Sequence, residues 1–392
     1  MRGILGYNIP TFNQSPYNET LGRCWVNSDW LSNLNLGKPV TPDELYSVLK
    51  AFRDDDPNGN SKKDEIPMIS YSASSTNYIW FLYLMAPFQF LSSDINNGWV
   101  VKNGEISAYY ALDSYREGLR YIHKLAAEGL LSPLSLTQDE AQFMAILDST
   151  PMVCGVISNV APTRFGDPMR QYSYETLEPL KAADGSQPTA YQPSVPIPGM
   201  IISKNCQTPE AAFRLGDLMV SQEFSTITRW GEKGVDWVEP DPGEKGSFEA
   251  AGYPATIKAI LPWGQPQNKM WCQVGPYIRQ YGIALGLTGA AASTDPALQA
   301  KSDLSAAIFA TKYFNNKPDE MVAKLIFTKE ETEAINEIIT NLNTYKKECI
   351  AAFVTGKMDV EKDWQKYLNE LKTIGLDKAQ TTVQAVYDRM YR

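Results

Sequence analysis

Apolar residues recur at helical spacing in the first part of the chain. The clearest case follows Thr41 and Pro42, where an N-cap residue and a first-turn proline are joined by Glu44 in a capping-box pattern. The apolar positions behind this start lie on one face of a helix: Leu45, Val48, Leu49 and Phe52. We therefore predict an amphipathic helix that leads the chain to Asp56.

Similar patterns predict further helices and strands. One helix ends at Gly129, and Thr208 with Pro209 starts another that runs through Val220. The segment NNGWVVKNGEISAYY predicts a turn followed by an alternating hairpin. Short apolar runs predict strands at 4–10, 67–72, 152–157 and 200–203, and the helix before Gly129 has the stripe Tyr115, Leu119, Ile122 and Ala126. From about Gly275 onward the pattern is mostly helical.

Composition and charge limit the function. The chain has 392 residues, enough for two domains with cores of their own. A net charge of -9 without a Lys/Arg run argues against nucleic acid and against anionic membrane surfaces. The most apolar run, Tyr78 to Leu91, contains Pro87 and is too short to span a bilayer, so we predict a buried helix there.

The aromatic, cysteine and histidine residues indicate less about function than composition and charge do. Nine Trp and 21 Tyr supply rings that suit the faces of sugars, although most such rings serve as packing. The five cysteines show no metal-ligand or redox spacing, so we expect mostly free, buried and inert thiols. The single histidine, His123, is expected on a helix surface, which leaves little room for a His-based triad or a His-rich zinc site.

Oxygen-bearing side chains alternate between Asp56 and Pro67, in the segment DPNGNSKKDEIP. A hard cation such as Ca²⁺ takes six to eight oxygen ligands, and Gly59 allows the tight bend that would gather them. The candidate ligands are Asp56, Asn58, Asn60, the main-chain carbonyl of Lys62, Asp64 and Glu65. The pattern is not an EF-hand, because its glycine is fourth rather than sixth. The alternative is a polar surface turn, but the added Asp64-Glu65 pair favours a metal site.

The segment PVTPDELYSVLKAFRDDDPNGNSKKDEIP resembles the signature of the extracellular solute-binding lipoproteins of carbohydrate ABC importers, the LplA/LipO-like group that includes alginate-oligosaccharide-binding proteins. The C-terminal residues 353–390 resemble the same family, and matched blocks cover essentially the whole chain. The resemblance implies an α/β, two-lobed, class II periplasmic-binding-protein-like fold. It also implies one structural Ca²⁺ in the loop 56–65.

The resemblance further implies how the chain is divided. Residues 1–9 would be a hinge-crossing strand and a remnant of the N-terminal lobe, and 10–157 the first part of the C-terminal lobe. Residues 158–270 would complete the N-terminal lobe, and 271–392 would form the helical second part of the C-terminal lobe. The family has a signal peptide and further N-terminal residues before the position of Ile4, so we expect an incomplete N-terminal lobe and no signal peptide or lipid anchor in this chain.

The resemblance implies a binding protein rather than an enzyme. It would be an extracytoplasmic monomer that captures an oligosaccharide or another carbohydrate and delivers it to the transmembrane subunits of an ABC permease. The sequence has no P-loop, H-E-x-x-H or G-x-S-x-G motif. Two alternatives stay open: a glycoside hydrolase or lyase, which needs only two carboxylates across a cleft, and a scaffold that kept the fold without a pocket.

Ligands of two-lobed proteins usually bind in the cleft between domains, where aromatic rings and polar groups meet the sugar. Six residues are candidates for such contacts, from their places near strand ends, a helix end and the expected hinge. They are Tyr71, Asn159, Arg164, Trp230, Trp263 and Trp271. For each of them, burial in an ordinary core is an equally good interpretation.

Overall fold

The computed structural model describes residues 8–13, 19–72, 79–92, 98–158, 167–194, 197–246, 248–249, 252–260, 277–279, 281–288 and 296–392. The strands are β1 (Asn8–Asn13), β2 (Trp25–Asn27), β3 (Ile66–Ile69), β4 (Trp99–Lys102), β5 (Glu105–Ala108), β6 (Cys154–Ile157), β7 (Tyr174–Thr176), β8 (Ile197–Ile201), β9 (Trp237–Val238), β10 (Ile257–Ala259), β11 (Ile278–Arg279) and β12 (Leu287–Thr288).

The α-helices alternate with these strands in the first half and follow one another at the C-terminus. They are α1 (Ser28–Asn33), α2 (Pro42–Asp54), α3 (Ile79–Met85), α4 (Asp113–Ala127), α5 (Glu140–Leu147), α6 (Pro209–Met219), α7 (Gln222–Trp230), α8 (Tyr281–Leu285), α9 (Pro296–Ile308), α10 (Lys329–Val354), α11 (Trp364–Ile374) and α12 (Leu376–Tyr391).

The chain divides into two units, each built from two segments. The smaller unit is Met1–Glu19 with Pro193–Thr311, and the larger unit is Thr20–Gln192 with Lys312–Arg392. Mixed strands and helices occur in both units, so the prediction of an α/β fold is confirmed.

A four-stranded sheet in the order β3-β6-β2-β7 forms the centre of the larger unit. Strands β3 and β6 run parallel, whereas β2 is antiparallel to both β6 and β7. Successive side chains point to opposite faces. Met68 and Val156 therefore join the main core, while Ile69 and Ile157 join a second apolar cluster on the other face. Both faces of the sheet are covered.

The main core of the larger unit is mostly helical. Every residue of α3 is buried, as expected for the most apolar stretch of the sequence. Helices α4, α10 and α11 pack nearby through Ile122, Phe353 and Tyr367, and the Tyr367 hydroxyl donates to the Tyr110 carbonyl at 3.0 Å. The antiparallel hairpin β4–β5 confirms the predicted hairpin.

The smaller unit contains two three-stranded sheets among the described residues, in the orders β11-β1-β8 and β12-β10-β9. Strand β1 is central in its sheet, antiparallel to β8 and parallel to β11. Helix α7 helps to place β11, because the Ser225 hydroxyl accepts the N–H of Ile278 at 3.0 Å.

The divisions of the chain differ from those expected. The chain passes between units after Glu19, Gln192 and Thr311, whereas the sequence placed the divisions after residues 9, 157 and 270. The middle difference has a clear cause. Strand β7 pairs with β2 through Trp25–Thr176 and Asn27–Tyr174, which keeps this part of 158–192 in the larger unit. The assignment of the units to an N-terminal and a C-terminal lobe stays a prediction.

Several residues with special chemistry lie in ordinary structural settings. Cys24, Cys154 and Cys349 are buried free thiols, and Cys206 is half-buried. Cys272 lies outside the described residues. His123 is half-buried rather than fully on the surface, and its Nδ1 lies 3.2 Å from the Val354 carbonyl. Within the described residues, no helix combines the length and the apolar character needed to cross a membrane.

Candidate functional site

Helix α2 places the candidate metal loop. Its first turn has the predicted capping box, because the Thr41 hydroxyl accepts the Glu44 N–H and the Glu44 carboxylate accepts the Thr41 N–H. The chain leaves the helix at Asp55 and turns sharply, with φ of 46° at Asp56 and 68° at Gly59. Such left-handed conformations favour Gly and tolerate Asp, which explains part of the composition of the loop.

Three side chains of the loop accept hydrogen bonds from the loop backbone. The Asp56 carboxylate accepts from the N–H groups of Asn60 and Ser61, at 3.1 and 2.9 Å. The Asn58 Oδ1 accepts from the Asn60 N–H at 3.0 Å, and the Asn60 Oδ1 from the Lys62 N–H at 2.7 Å. The loop therefore has a defined conformation built on its own polar side chains.

Two amide groups point at the Asp64 carboxylate. The Nδ2 of Asn60 lies 3.0 and 3.1 Å from the two Asp64 carboxylate oxygens, and the Nδ2 of Asn58 lies 3.3 Å from one of them. The positive ends of two amide dipoles thus lie beside this carboxylate. A cation with oxygen ligands would satisfy the same charge more strongly, with the amide oxygens turned toward it.

Glu65 is the least satisfied member of the set. Its Oε1 is buried and has no hydrogen-bond partner among the described residues. Burial raises the pKa of the Glu65 carboxyl, backbone hydrogen bonds from Glu65 and Asp64 partly oppose this rise, and the nearby charges of Asp64 and Asp56 add to it. A divalent cation would remove this electrostatic conflict.

The donor set fits a hard cation, because every candidate ligand of the loop is an oxygen. Within the described ranges, however, no three or more His, Cys, Asp or Glu side chains are close enough together to hold a metal. Asp56, Asp64 and Glu65 would have to approach one another on binding. The six predicted ligands lie in one loop, and their role as ligands stays a prediction.

The loop is anchored to two neighbouring segments. The Asn33 side chain at the end of α1 donates to the Pro57 carbonyl at 2.9 Å. The Asn58 Nδ2 lies 3.4 Å from the Met152 carbonyl, and the Ile66 N–H donates to the Val153 carbonyl at 2.7 Å. The loop is therefore tied both to α1 and to the residues that lead into β6.

A buried polar cluster lies where β3 and β6 end. The Ser70 hydroxyl donates to the Ser158 carbonyl at 2.8 Å, and the Ser70 N–H donates to the Ser135 hydroxyl at 3.0 Å. The Gln138 Nε2 donates to the Ser70 carbonyl, while the Gln138 Oε1 is buried without a hydrogen-bond partner among the described residues. We call Ser70, Ser135, Gln138 and Ser158 the polar edge.

The polar edge occupies the position where α/β proteins commonly bind ligands, outside the carboxyl ends of parallel strands. The sequence interpretation did not select these four residues. Ser70 and Ser158 directly follow buried apolar strands, and that change from apolar to polar was the available signal. Gln138 follows a 3₁₀ turn at Pro133–Leu136 and comes to Ser70 only through the tertiary fold, so no local pattern marks it.

Two of the six predicted contact residues are described, and both are buried. Tyr71 is 5% exposed and its ring lies 5.2 Å from that of Phe143. Trp230 is 9% exposed at the end of α7, with the Arg229 guanidinium 5.2 Å from its ring centre. Asn159, Arg164, Trp263 and Trp271 lie outside the described residues. A ligand role for all six stays a prediction.

Three curated proteins are similar to parts of the chain. The fructooligosaccharide ABC transporter substrate-binding protein FusA of Streptococcus pneumoniae is 35% identical over 122 residues, 31% of this chain and 22% of FusA. Lipoprotein LipO of Bacillus subtilis is 32% identical over 126 residues, 30% of this chain and 23% of LipO. The polygalacturonan/rhamnogalacturonan-binding protein YtcQ of the same organism is 30% identical over 108 residues, 27% of this chain and 20% of YtcQ. The matches thus span under a quarter of each relative's length.

Solved structures match over a much larger share of the chain. An HMO-binding solute-binding protein associated with an ABC transporter of Bifidobacterium longum infantis has a TM-score of 0.74 at 20% identity, covering 97% of this chain and 76% of its own. FusA of S. pneumoniae in complex with kestose has a TM-score of 0.69 at 22% identity, covering 98% of this chain and 76% of its own. No protein-family model matches.

The chain therefore has the fold of the extracellular solute-binding proteins. Among its sequence relatives, FusA is by name a substrate-binding protein of a fructooligosaccharide ABC transporter, YtcQ is by name a polygalacturonan/rhamnogalacturonan-binding protein, and LipO is by name a lipoprotein. Two structural neighbours also concern metal sites: a FusA described as an EF-hand mutant, with a TM-score of 0.66, and the alginate-binding protein AlgQ2 without calcium ion, with a TM-score of 0.62.

Proposed function

We propose that the chain is the solute-binding component of an ABC importer and captures an oligosaccharide or another carbohydrate. The observation that carries the proposal is the fold match over nearly the whole chain to sugar-binding proteins. The partial sequence matches to FusA and YtcQ support it, because both are named for carbohydrates. Since the named sugars differ among these proteins, the proposal extends only to carbohydrate as a class.

The polar edge supports capture of a hydroxyl-rich ligand. A sugar hydroxyl can donate to one group and accept from another, whereas the Ser70 hydroxyl and the Gln138 Nε2 already donate to main-chain carbonyls. The unpartnered Gln138 Oε1 is an acceptor that a ligand hydroxyl would satisfy. Tyr71 adjoins this edge in sequence, and we propose it as a contact together with Asn159, Arg164, Trp230, Trp263 and Trp271.

We propose a structural Ca²⁺ in the loop 56–65, held by Asp56, Asn58, Asn60, Asp64, Glu65 and the Lys62 carbonyl. The supporting observations are the all-oxygen donor set and the unpartnered, buried Glu65 oxygen. The descriptions of two structural neighbours also point to calcium. The cation would brace the loop and take no part in chemistry.

The partners follow from the proposed role. Delivery of the ligand to an importer requires the transmembrane subunits of an ABC permease. An extracytoplasmic location agrees with the names of two relatives, a transporter substrate-binding protein and a lipoprotein. We propose that the protein acts as a monomer. The relatives are binding proteins rather than enzymes, which favours capture over hydrolysis.

A thermal screen against a carbohydrate panel tests the proposal. The panel contains fructooligosaccharides, milk oligosaccharides, alginate fragments and rhamnogalacturonan fragments, each with excess Ca²⁺. We expect at least one class to raise Tm, since a ligand at a hundredfold excess over Kd adds about 2.7 kcal/mol to the free energy of unfolding. Release of shortened products, lost on changing a single carboxylate, would instead identify a hydrolase or lyase.

A further inference from the structure

The loop 56–65 contacts the beginnings of two neighbouring parallel strands. Glu65 leads directly into β3, whose first N–H, that of Ile66, donates to the Val153 carbonyl at 2.7 Å. The Asn58 amide lies 3.4 Å from the Met152 carbonyl. Met152 and Val153 lead into β6, so one loop holds the beginnings of both strands.

The polar edge lies at the other ends of the same two strands. The Ser158 N–H donates to the Ile69 carbonyl at 3.2 Å, and Ser70 and Ser158 follow the last residues of β3 and β6. Both strands have four residues. At 3.3 Å per residue, the five steps from Glu65 to Ser70 place the loop and the polar edge about 16 Å apart along the strands.

The packing of this strand pair leaves no room for a local shift. All four residues of β6 are buried. A Cβ added to Gly155 would lie 2.3 Å from the Phe52 ring and 2.8 Å from the Pro67 carbonyl oxygen, which shows how closely α2 and β3 approach β6. A slip of one residue would also turn each buried side chain to the wrong face of the sheet. We therefore expect a disturbance at the beginnings of the strands to reach their ends.

We propose that cation binding in the loop 56–65 fixes the pairing of β3 with β6 and thereby pre-organises Ser70, Ser158 and Gln138 for the ligand. The inference rests on the proposed calcium and ligand sites and adds a regulatory link between them. A bound cation draws the loop carboxylates together and holds Asn58 and Ile66 at the beginnings of the strands. Without it, the carboxylates repel one another and the strand pair opens locally more often.

Amide hydrogen exchange with Ca²⁺ alone tests the link without any sugar. The wild-type chain is compared in excess Ca²⁺ and in EGTA, after calorimetric titration has measured Ca²⁺ binding. We expect exchange at the Ser70 and Ser158 amides to slow by about tenfold or more in Ca²⁺. Exchange in the hairpin β4–β5 of the same unit is expected to change by less than about twofold, since these two strands form a sheet of their own.

A pair of variants distinguishes the loss of a proposed loop ligand from the loss of any one negative charge. Asp64→Ala removes a proposed ligand, and we expect the exchange at Ser70 and Ser158 to become independent of Ca²⁺. The matched control is Asp319→Ala, which removes an exposed aspartate of the same unit that is not part of the loop. The control is expected to keep the full Ca²⁺ effect.

The outcomes distinguish the link between the loop and the polar edge from the proposed calcium site on which it rests. Ca²⁺ binding with equal slowing at the polar edge and in the hairpin would overturn the inference and leave the calcium site standing. Absence of Ca²⁺ binding in the wild-type chain would overturn both, while the carbohydrate screen would still decide the proposed function separately.

Discussion

At the scale of single residues, Glu65 is the main support for the proposal that the loop 56–65 binds a cation. Its buried Oε1 has no hydrogen-bond partner among the described residues, and two neighbouring carboxylates oppose its charge. A buried group left unpaired costs about 1–3 kcal/mol, more when charged, so such positions are usually satisfied by a ligand, an ion or water. The side chains of Asp56, Asn58, Asn60 and Asp64 already have hydrogen-bond partners within the loop.

Replacing Glu65 is expected to have opposite effects with and without metal. In EDTA, Glu65→Gln should raise Tm, because it removes a disfavoured charge. In excess Ca²⁺ it should lose most of the calcium-dependent stabilisation, about 2.7 kcal/mol at a hundredfold excess over Kd. Thermal melts in both buffers check this, with the exposed Glu337→Gln on α10 as the matched control. A Glu65→Gln variant that keeps the wild-type response to Ca²⁺ would contradict the ligand role.

The metal response as a whole is tested by removing a second ligand. EDTA is expected to lower the Tm of the wild-type chain and Ca²⁺ to restore it, because the cation binds the folded loop and not the unfolded chain. Asp56→Ala should abolish the response. Melting curves that are indifferent to both reagents would refute the calcium site.

The cysteines make a separate prediction about reactivity. Burial raises the pKa of the Cys154 thiol to about 12 and that of Cys349 to about 11, and it also raises the pKa of Cys24. Because the thiolate is the reactive form, these three should not react with a thiol reagent at pH 8 while the chain is folded. A Cys206→Ser/Cys272→Ser double variant, which keeps only Cys24, Cys154 and Cys349, checks this. Fast labelling of the folded variant would contradict the prediction that these three thiols are buried and inert.

At the scale of elements, the sequence predicted what local chemistry determines. Helix α2 was predictable from Thr41, Pro42 and Glu44, whose capping box is present, and the buried helix α3 from its apolar run. The prediction placed strand β8 too far along the chain: the strand spans Ile197–Ile201, whereas the apolar pattern suggested residues 200–203. Strand ends are set by hydrogen bonds to other strands, which a local pattern does not contain.

The pairing of β7 and the position of Gln138 were beyond the sequence for the same reason. Tyr174–Thr176 is a strand because it pairs with β2, about 150 residues away in the chain. Gln138 joins the polar edge through a contact with Ser70 across 68 residues. The metal loop was predictable because all its candidate ligands lie within ten residues. The polar edge was not, because the fold assembles it from distant segments.

The close approach of α2 to β6 predicts a sensitive glycine. Gly155→Ala places a methyl group 2.3 Å from Phe52 Cδ2 and 2.8 Å from the Pro67 carbonyl oxygen. We expect a loss of about 1–3 kcal/mol or more in the free energy of unfolding, measured by urea denaturation. Gly37→Ala is the control, since a Cβ there would meet no atom within 4 Å. Equal stability of the two variants would show that the strand pair has more room than the structure indicates.

At the scale of the whole molecule, the two units each combine segments that are distant in sequence. This arrangement agrees with the fold of the solute-binding proteins, which the solved structures match over 97–98% of the chain. The sequence relatives are matched over a much smaller share, 20–23% of their length. The comparisons therefore establish the fold, and the identity of the ligand is to be determined by experiment.

The most direct test of the central claim is calorimetric titration of the calcium-loaded chain with the carbohydrate that raises Tm most, followed by mass spectrometry of the recovered sugar. We predict saturable binding of one sugar per chain, a Kd of about 1 μM or lower, near -8 kcal/mol, and recovery of the sugar intact. A sugar recovered in shortened form, or no heat with any member of the panel, would contradict the account.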